Sequence, residues 1–251
     1  MKRYLYSYQT IVRFYGEVNR HFLKLRCQPY ASDCQTIVDE SVLLHPSDFS
    51  VLHGRDAFGN RIITGSSLEP HDSLAYISSG VVEQTEYFIP DDAPTPYYRC
   101  PSSLTEPSAE LKQKALECAT PLELCHLVFS EMQYVPLSTT TRTTSSEAFA
   151  QRKGVCQDFA HVLISLLRCR GYAARYVNGL IPGEGATHAW VEVNEGNGWY
   201  ALDPTHNCRI THGYIKLSHG RDANDCPVCR GSVSGININQ QTEIKVIVNE
   251  I

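Results

Sequence analysis

No stretch of this chain is long and apolar enough to span a bilayer, and no run of basic residues interrupts it. It also lacks internal repeats and extended low-complexity segments. The first two absences argue against a membrane protein and against nucleic acid or anionic lipid as the main partner. Charge is sparse and nearly balanced, with 22 Lys and Arg against 27 Asp and Glu and a formal net charge of -5. The N-terminus, MKRYLYSYQTIVRFYG, begins with two basic residues but never develops the apolar centre of a signal peptide. Its tyrosines, Tyr4, Tyr6 and Tyr8, alternate with other side chains as on a strand. A cytoplasmic protein is therefore expected, with the ten scattered cysteines reduced rather than forming a disulfide framework.

The chain does have enough apolar residues, 42% of 251, to fill one large core or two modest ones. Short alternating runs occupy the first 90 or so residues: YLYSYQTIVRFY, QTIVDESVLL and RIITGSSL. Turn signals at Pro29, His45-Pro46 and Phe58-Gly59-Asn60 separate them. Four prolines between 89 and 103 mark an interdomain linker. Two domains follow from this: 1–92, all-β and sandwich-like, and 93–251, which mixes helices and strands.

In the second part, SAELKQKALECA reads as a helix. Thr120-Pro121-Leu122-Glu123 is a capping box with proline in the first helical position, opening a helix through Met132. Thr144 and Glu147 repeat the spacing ahead of a helix that Gly154 breaks. The polar run STTTRTTSS between them reads as a solvated loop. A further helix over about 156–169 carries Phe159, Val162, Leu163, Leu166 and Leu167 on one face, with Gly171 placed for a left-handed cap. Strands then dominate: AARYVNGLI, THAWVEVN, GWYALDP and EIKVIVNEI. Helices first and strands after give an α+β class.

Cys156 stands at the N-terminus of the strongest helix, where unpaired N–H groups and the helix dipole favour an anion. Cys118, Cys125 and Cys169, within or at the ends of helices, read as core or surface thiols. A thiolate nucleophile needs a base, and the base needs an orienting group. His161 is close in sequence, but five residues turn it about 140° from Cys156 around the helix. Asp158, in the first turn, would oppose ionisation of a neighbouring thiol. The strands offer better partners. His188, Trp190 and Glu192 share one face of THAWVEVN, and Trp199, Ala201 and Asp203 one face of GWYALDP. With Gly196-Asn197 as a two-residue turn, 190 pairs with 203, and His188 and Asp203 lie diagonally on the same face. A loop of odd length without a bulge would separate them.

These blocks resemble those of bacterial transglutaminase-like proteins. GVCQDFAH (154–161) with its apolar helix is similar to the family's nucleophile segment, THAWVEV (187–193) to its histidine strand and GWYALDPTH (198–206) to its aspartate strand. The tail HGRDANDCPVCRGSVSG and the N-terminal segment with DAFGN (56–60) resemble the same family. The resemblance implies a papain-like α+β core, with the cysteine helix on an antiparallel sheet, preceded by an accessory β domain. It implies Cys156 as nucleophile, His188 as general base and acid, and Asp203 as the orienting group. The backbone N–H of Cys156 is then one oxyanion donor, with Gln157 and Tyr134 as candidates for the second. Trp190 and Trp199 are candidates to line a substrate cleft, although core packing is the preferred reading of both.

The expected activity is a cysteine peptidase or amidase acting on a peptide or protein amide, without a cofactor. The alternatives are transfer of the acyl group to an amine, since the triad serves both, and a non-catalytic binding module on the same fold. The Cys226-x-x-Cys229 pair has metal-ligand spacing, with His206, Cys208, His212 and His219 upstream. A structural zinc site wants a second such pair, which is missing, so no metal is expected.

Overall fold

A single strand of 24 residues, β1 (Lys2–Leu25), organises the first half of the chain. The computed structural model describes residues 1–90, 96–235 and 238–251. Tyr4, Tyr6, Tyr8, Thr10, Val12 and Phe14 point inward on β1 in strict alternation, and the buried parity then shifts to His21, Leu23 and Leu25. The shift coincides with an irregularity in pairing between Val18 and Arg20, the behaviour of a bulge that bends a strand and reverses its faces.

Five more strands follow: β2 (Gln35–His45), β3 (Ser50–Arg55), β4 (Arg61–Ser67), β5 (His71–Gln84) and the short β6 (Phe88–Ile89). The DAFGN turn lies between β3 and β4. Asp56 Oδ1 accepts from the N–H groups of Phe58 and Asn60, and Gly59 takes φ +80°.

The helical part comprises α1 (Ala109–Ala115), α2 (Pro121–Glu131), β7 (Gln133–Tyr134), α3 (Ser145–Gln151), β8 (Lys153–Gly154) and α4 (Cys156–Cys169). Both capping boxes form, at Thr120/Glu123 and Thr144/Glu147. Two ends differ from expectation. α1 stops at Ala115 rather than running on through Ala119, and α3 closes at Arg152, whose φ of 55° puts a left-handed cap two residues before Gly154. Gly171 follows α4 at φ +83°, as its position predicts.

The remaining strands are β9 (Ala173–Leu180), β10 (Gly183–Gly185), β11 (His188–Asn194), β12 (Trp199–Asp203), β13 (Cys208–Ile210), β14 (Ile215–Gly220), β15 (Cys229–Gly235) and β16 (Gln240–Glu250). The order β13-β12-β11-β9-β14, with β6 also on β12, forms an antiparallel sheet. Phe159, Leu163, Leu166 and Leu167 of α4 share one core with Ala174, Ala189, Val191 and Leu202 of that sheet. Each large apolar side chain so buried contributes roughly 1.5–3 kcal/mol.

Strand pairing crosses the sequence division at residue 92. β15 and β16 extend the N-terminal sheet by pairing with β1, β10 adds to β16, and β6 joins the second sheet instead. The boundary itself falls within residues 91–95, outside the described residues, as does the first part of the proline-rich linker, whose remainder includes the short turn Pro96–Tyr98. The halves are further joined along β14, whose free edge is satisfied by side-chain amides. Gln35 pairs with the Lys216 backbone and Asn60 with that of His219, each both donating and accepting.

Candidate active site

Cys156 is the first residue of α4. The approach to it is held by two devices. Asp158 Oδ2 accepts from the Val155 N–H at 2.8 Å and from Thr139 Oγ1 at 2.6 Å. The short parallel pair β7–β8 then aligns Tyr134 with Gly154, next to the helix entry. Gly154 has a steric reason to be glycine, because a Cβ there would lie 2.6 Å from Cβ of Asp158. Thr139 belongs to the run expected to be a solvated loop. It instead ties that loop to the head of α4, a link between residues 19 positions apart that local polarity does not reveal.

The β11–β12 hairpin has the expected register, with Val191 opposite Leu202 and Asn194 opposite Trp199. The strands end there, leaving 195–198 unpaired, so the connection is four residues long with Gly196 and Gly198 at positive φ. Parity is the same as for the two-residue turn. His188 and Asp203 therefore share a face, and His188 Nε2 lies 2.8 Å from Asp203 Oδ2. The Cys156 side chain lies near enough to the same imidazole to help raise its pKa. With Nε2 engaged by Asp203, Nδ1 is the nitrogen left for the thiol.

Burial pushes His188 down, but Asp203 and Cys156 outweigh it and hold the imidazole at about 9. Asp203 is buried, which alone would raise it; His188, His206 and Tyr214 outweigh that and keep it at about 2. Its Oδ2 accepts from His206 Nδ1 at 2.7 Å and from Tyr214 Oη at 2.8 Å, besides His188. Oδ1 accepts the backbone N–H groups of Thr205 and His206, so the DPTH turn folds around the carboxylate. In the sequence His206 reads only as a candidate metal ligand, and nothing marks Tyr214. The signal for His206 was its place three residues after Asp203; Tyr214 had none.

The other candidates separate. Gln157 is half-buried beside Cys156, and Tyr134 is half-exposed, its phenol pushed up by burial and by Cys156 nearby. Trp190 and Trp199 are completely buried and line no cleft. They fill the core behind the hairpin, Trp190 donating to Tyr87 Oη at 3.3 Å. A Cβ on Gly179 would sit 2.4 Å from the Trp190 ring, so glycine makes room for the indole. His161 points away from Cys156. Its Nε2 accepts from the Ala223 N–H and its ring packs on Tyr176. Cys226 is buried, its thiol donating to the Asp222 carbonyl, while Cys229 is exposed. Among the described residues, the cluster with metal-ligating side chains close together is His188, Asp203 and His206.

Beneath the site lies a buried charge network. Glu192 accepts from Lys216 Nζ on both oxygens at 2.9 Å, from Arg175 and from Tyr87 Oη at 2.6 Å. Burial opposes the carboxylate, but Arg175 and Lys216 outweigh it and hold Glu192 at about 2.

Two family models match this chain. Residues 102–204, which carry Cys156, His188 and Asp203, match the transglutaminase-like superfamily, and residues 4–83 match the bacterial transglutaminase-like N-terminal region. The chain belongs to the transglutaminase-like superfamily. The chain is similar to an uncharacterized protein of Mycobacterium leprae (strain TN), 27% identical over 90% of each chain. An uncharacterized protein of Mycobacterium tuberculosis (strain ATCC 25618 / H37Rv) is 28% identical over 98% of this chain and 92% of its own. The crystal structure of the "Putative Cysteine Protease" of Cytophaga hutchinsonii superposes with a TM-score of 0.75 at 21% identity. It covers 96% of this chain and 91% of that one, a likeness of fold across both halves. Among the described residues no helix is long and apolar enough to cross a membrane.

Proposed function

We propose that this transglutaminase-like protein is a cysteine-dependent hydrolase of peptide or isopeptide amides, with Cys156 as nucleophile, His188 as base and acid, and Asp203 as the orienting group. The observation that carries this reading is the position of one imidazole between a buried carboxylate and a thiol at a helix N-terminus. Asp203 favours His188 in its protonated form, which in turn favours a thiolate beside it. The thiolate attacks the amide carbonyl, and the oxygen that becomes anionic is met by the Cys156 N–H, with Gln157 or Tyr134 as second donor. Collapse breaks the C–N bond as His188 passes its proton to the departing amine. Water then attacks the thioester, His188 takes the proton, and the acid leaves with the thiol restored.

The name given to the Cytophaga hutchinsonii protein agrees with hydrolysis, as does a papain-like arrangement of α4 on its sheet. Residues 1–92 are the accessory region of this reading and 93–251 the part that carries the chemistry, with β15 and β16 completing the accessory sheet. The test is product analysis by mass spectrometry on peptide and isopeptide amides, with and without a primary amine. Free acid in both conditions supports hydrolysis. Amine conjugates without free acid would replace it by transglutamination, leaving the three residues in the same roles.

A further inference from the structure

A cavity of about 540 Å3 separates the inner face of the N-terminal sheet from the head of α4, a size suited to a short ligand segment. It reaches the immediate chain neighbours of two triad residues. Gln157, next to Cys156, and Thr187, next to His188, both open into it, and Asn178 of β9 continues that wall. The opposite wall comes from β1, β5, β15 and β16, including Tyr8, Tyr76 and Thr242.

The lining has two chemical properties. Among the described residues it is almost uncharged: no Asp, Glu or Lys contributes, and Arg230, an exposed residue, is the one Lys or Arg present. His21 is neutral there, since burial, aided by His71, pushes it down to about 4. The cavity also holds a chain of hydroxyls that can both donate and accept. Tyr76 Oη lies 3.0 Å from Tyr8 Oη, which accepts from Thr10 Oγ1 at 3.1 Å. Such groups match the paired donor and acceptor of an amide.

We propose that this cavity binds an uncharged segment of a peptide substrate, apolar or carboxamide-bearing, beside the amide presented to Cys156. The proposal rests on the reading of Cys156 as the nucleophile. A basic side chain entering the cavity loses its hydration and meets no opposite charge, and an acidic one finds only Arg230, itself exposed to solvent, so the site selects against both. The accessory sheet is thereby a specificity element, because it supplies the wall farthest from the thiol.

The test uses Cys156→Ala protein, which binds without turnover, and blocked hexapeptides composed of Ala, Leu, Phe, Ser and Gln. Dissociation constants are compared with those of the same peptides carrying one Glu or one Lys. The uncharged set is expected to bind at least about tenfold more tightly. Thr242→Trp, on a solvent-accessible strand position, fills the cavity and is expected to weaken uncharged peptides by about tenfold in the same background, with an unchanged circular dichroism spectrum. Equal affinity for charged peptides, an unweakened Thr242→Trp, or no binding of any peptide overturns the proposal. Turnover of amides by the wild-type protein, measured separately, tells that failure from a failure of the catalytic reading.

Discussion

His188 and Asp203 meet across the β11–β12 hairpin, two positions out of direct register, with Nε2 2.8 Å from Oδ2. Asp203→Asn keeps the shape and removes the charge that holds His188 at about 9. The proposed ion pair needs a protonated His188, so wild-type kcat/KM should fall as pH rises through about 9. In Asp203→Asn that limb should move to lower pH, and the rate should drop by roughly 10²–10⁴-fold. A pH–rate profile checks both; an unmoved limb would remove Asp203 from its proposed role.

Cys156→Ala and His188→Ala should each abolish nearly all turnover, whereas Cys169→Ala should not. Cys118 and Cys169 are thiols pushed up chiefly by burial, with nearby glutamates adding to it. Iodoacetamide at pH 6, read by peptide mass mapping, should therefore label Cys156 ahead of both. Equal labelling would favour a binding module over an enzyme.

In the proposed mechanism His206, bonded to Asp203, serves as a positioning residue. His206→Ala removes the donor 2.7 Å from Oδ2 and should lower kcat by about tenfold with KM little changed. His206→Asn, which keeps a donor near the Nδ1 position, should restore most of the loss. Equal kcat values for the two variants would show that the hydrogen bond is not what matters.

Acid should weaken the fold through Asp203 and Glu192, both held at about 2 against ordinary values of 3.8 and 4.5. A depressed carboxylate stabilises above its unfolded value, and that contribution disappears as pH falls towards 2. Urea midpoints should accordingly decline from about pH 5 downward. Glu192→Gln, which strands Lys216 and Arg175 without their counter-charge, should cost about 3–5 kcal/mol at neutral pH. A midpoint close to wild type would mean that the network relaxes with water.

Much of the candidate site was legible because it rests on short-range periodicities. The 3.6-residue repeat of α4 put Cys156 at a helix N-terminus and turned His161 away, and both hold. The two-residue repeat of β11 and β12 matched the observed register although the turn is longer than its Gly-Asn signal suggested, because adding one residue to each side leaves parity intact.

What the linear pattern could not supply are contacts made by distant segments. Thr139 on Asp158, Tyr214 on Asp203 and the amides of Gln35 and Asn60 on β14 join residues whose neighbours in sequence say nothing of one another. Nor does residue order reveal that β15 and β16 return to β1, which turns an accessory region into the far wall of the cavity. Local propensity and side-chain period set which residues can share a face. Which faces meet depends on how the sheets close around their cores, and that is a property of the whole chain.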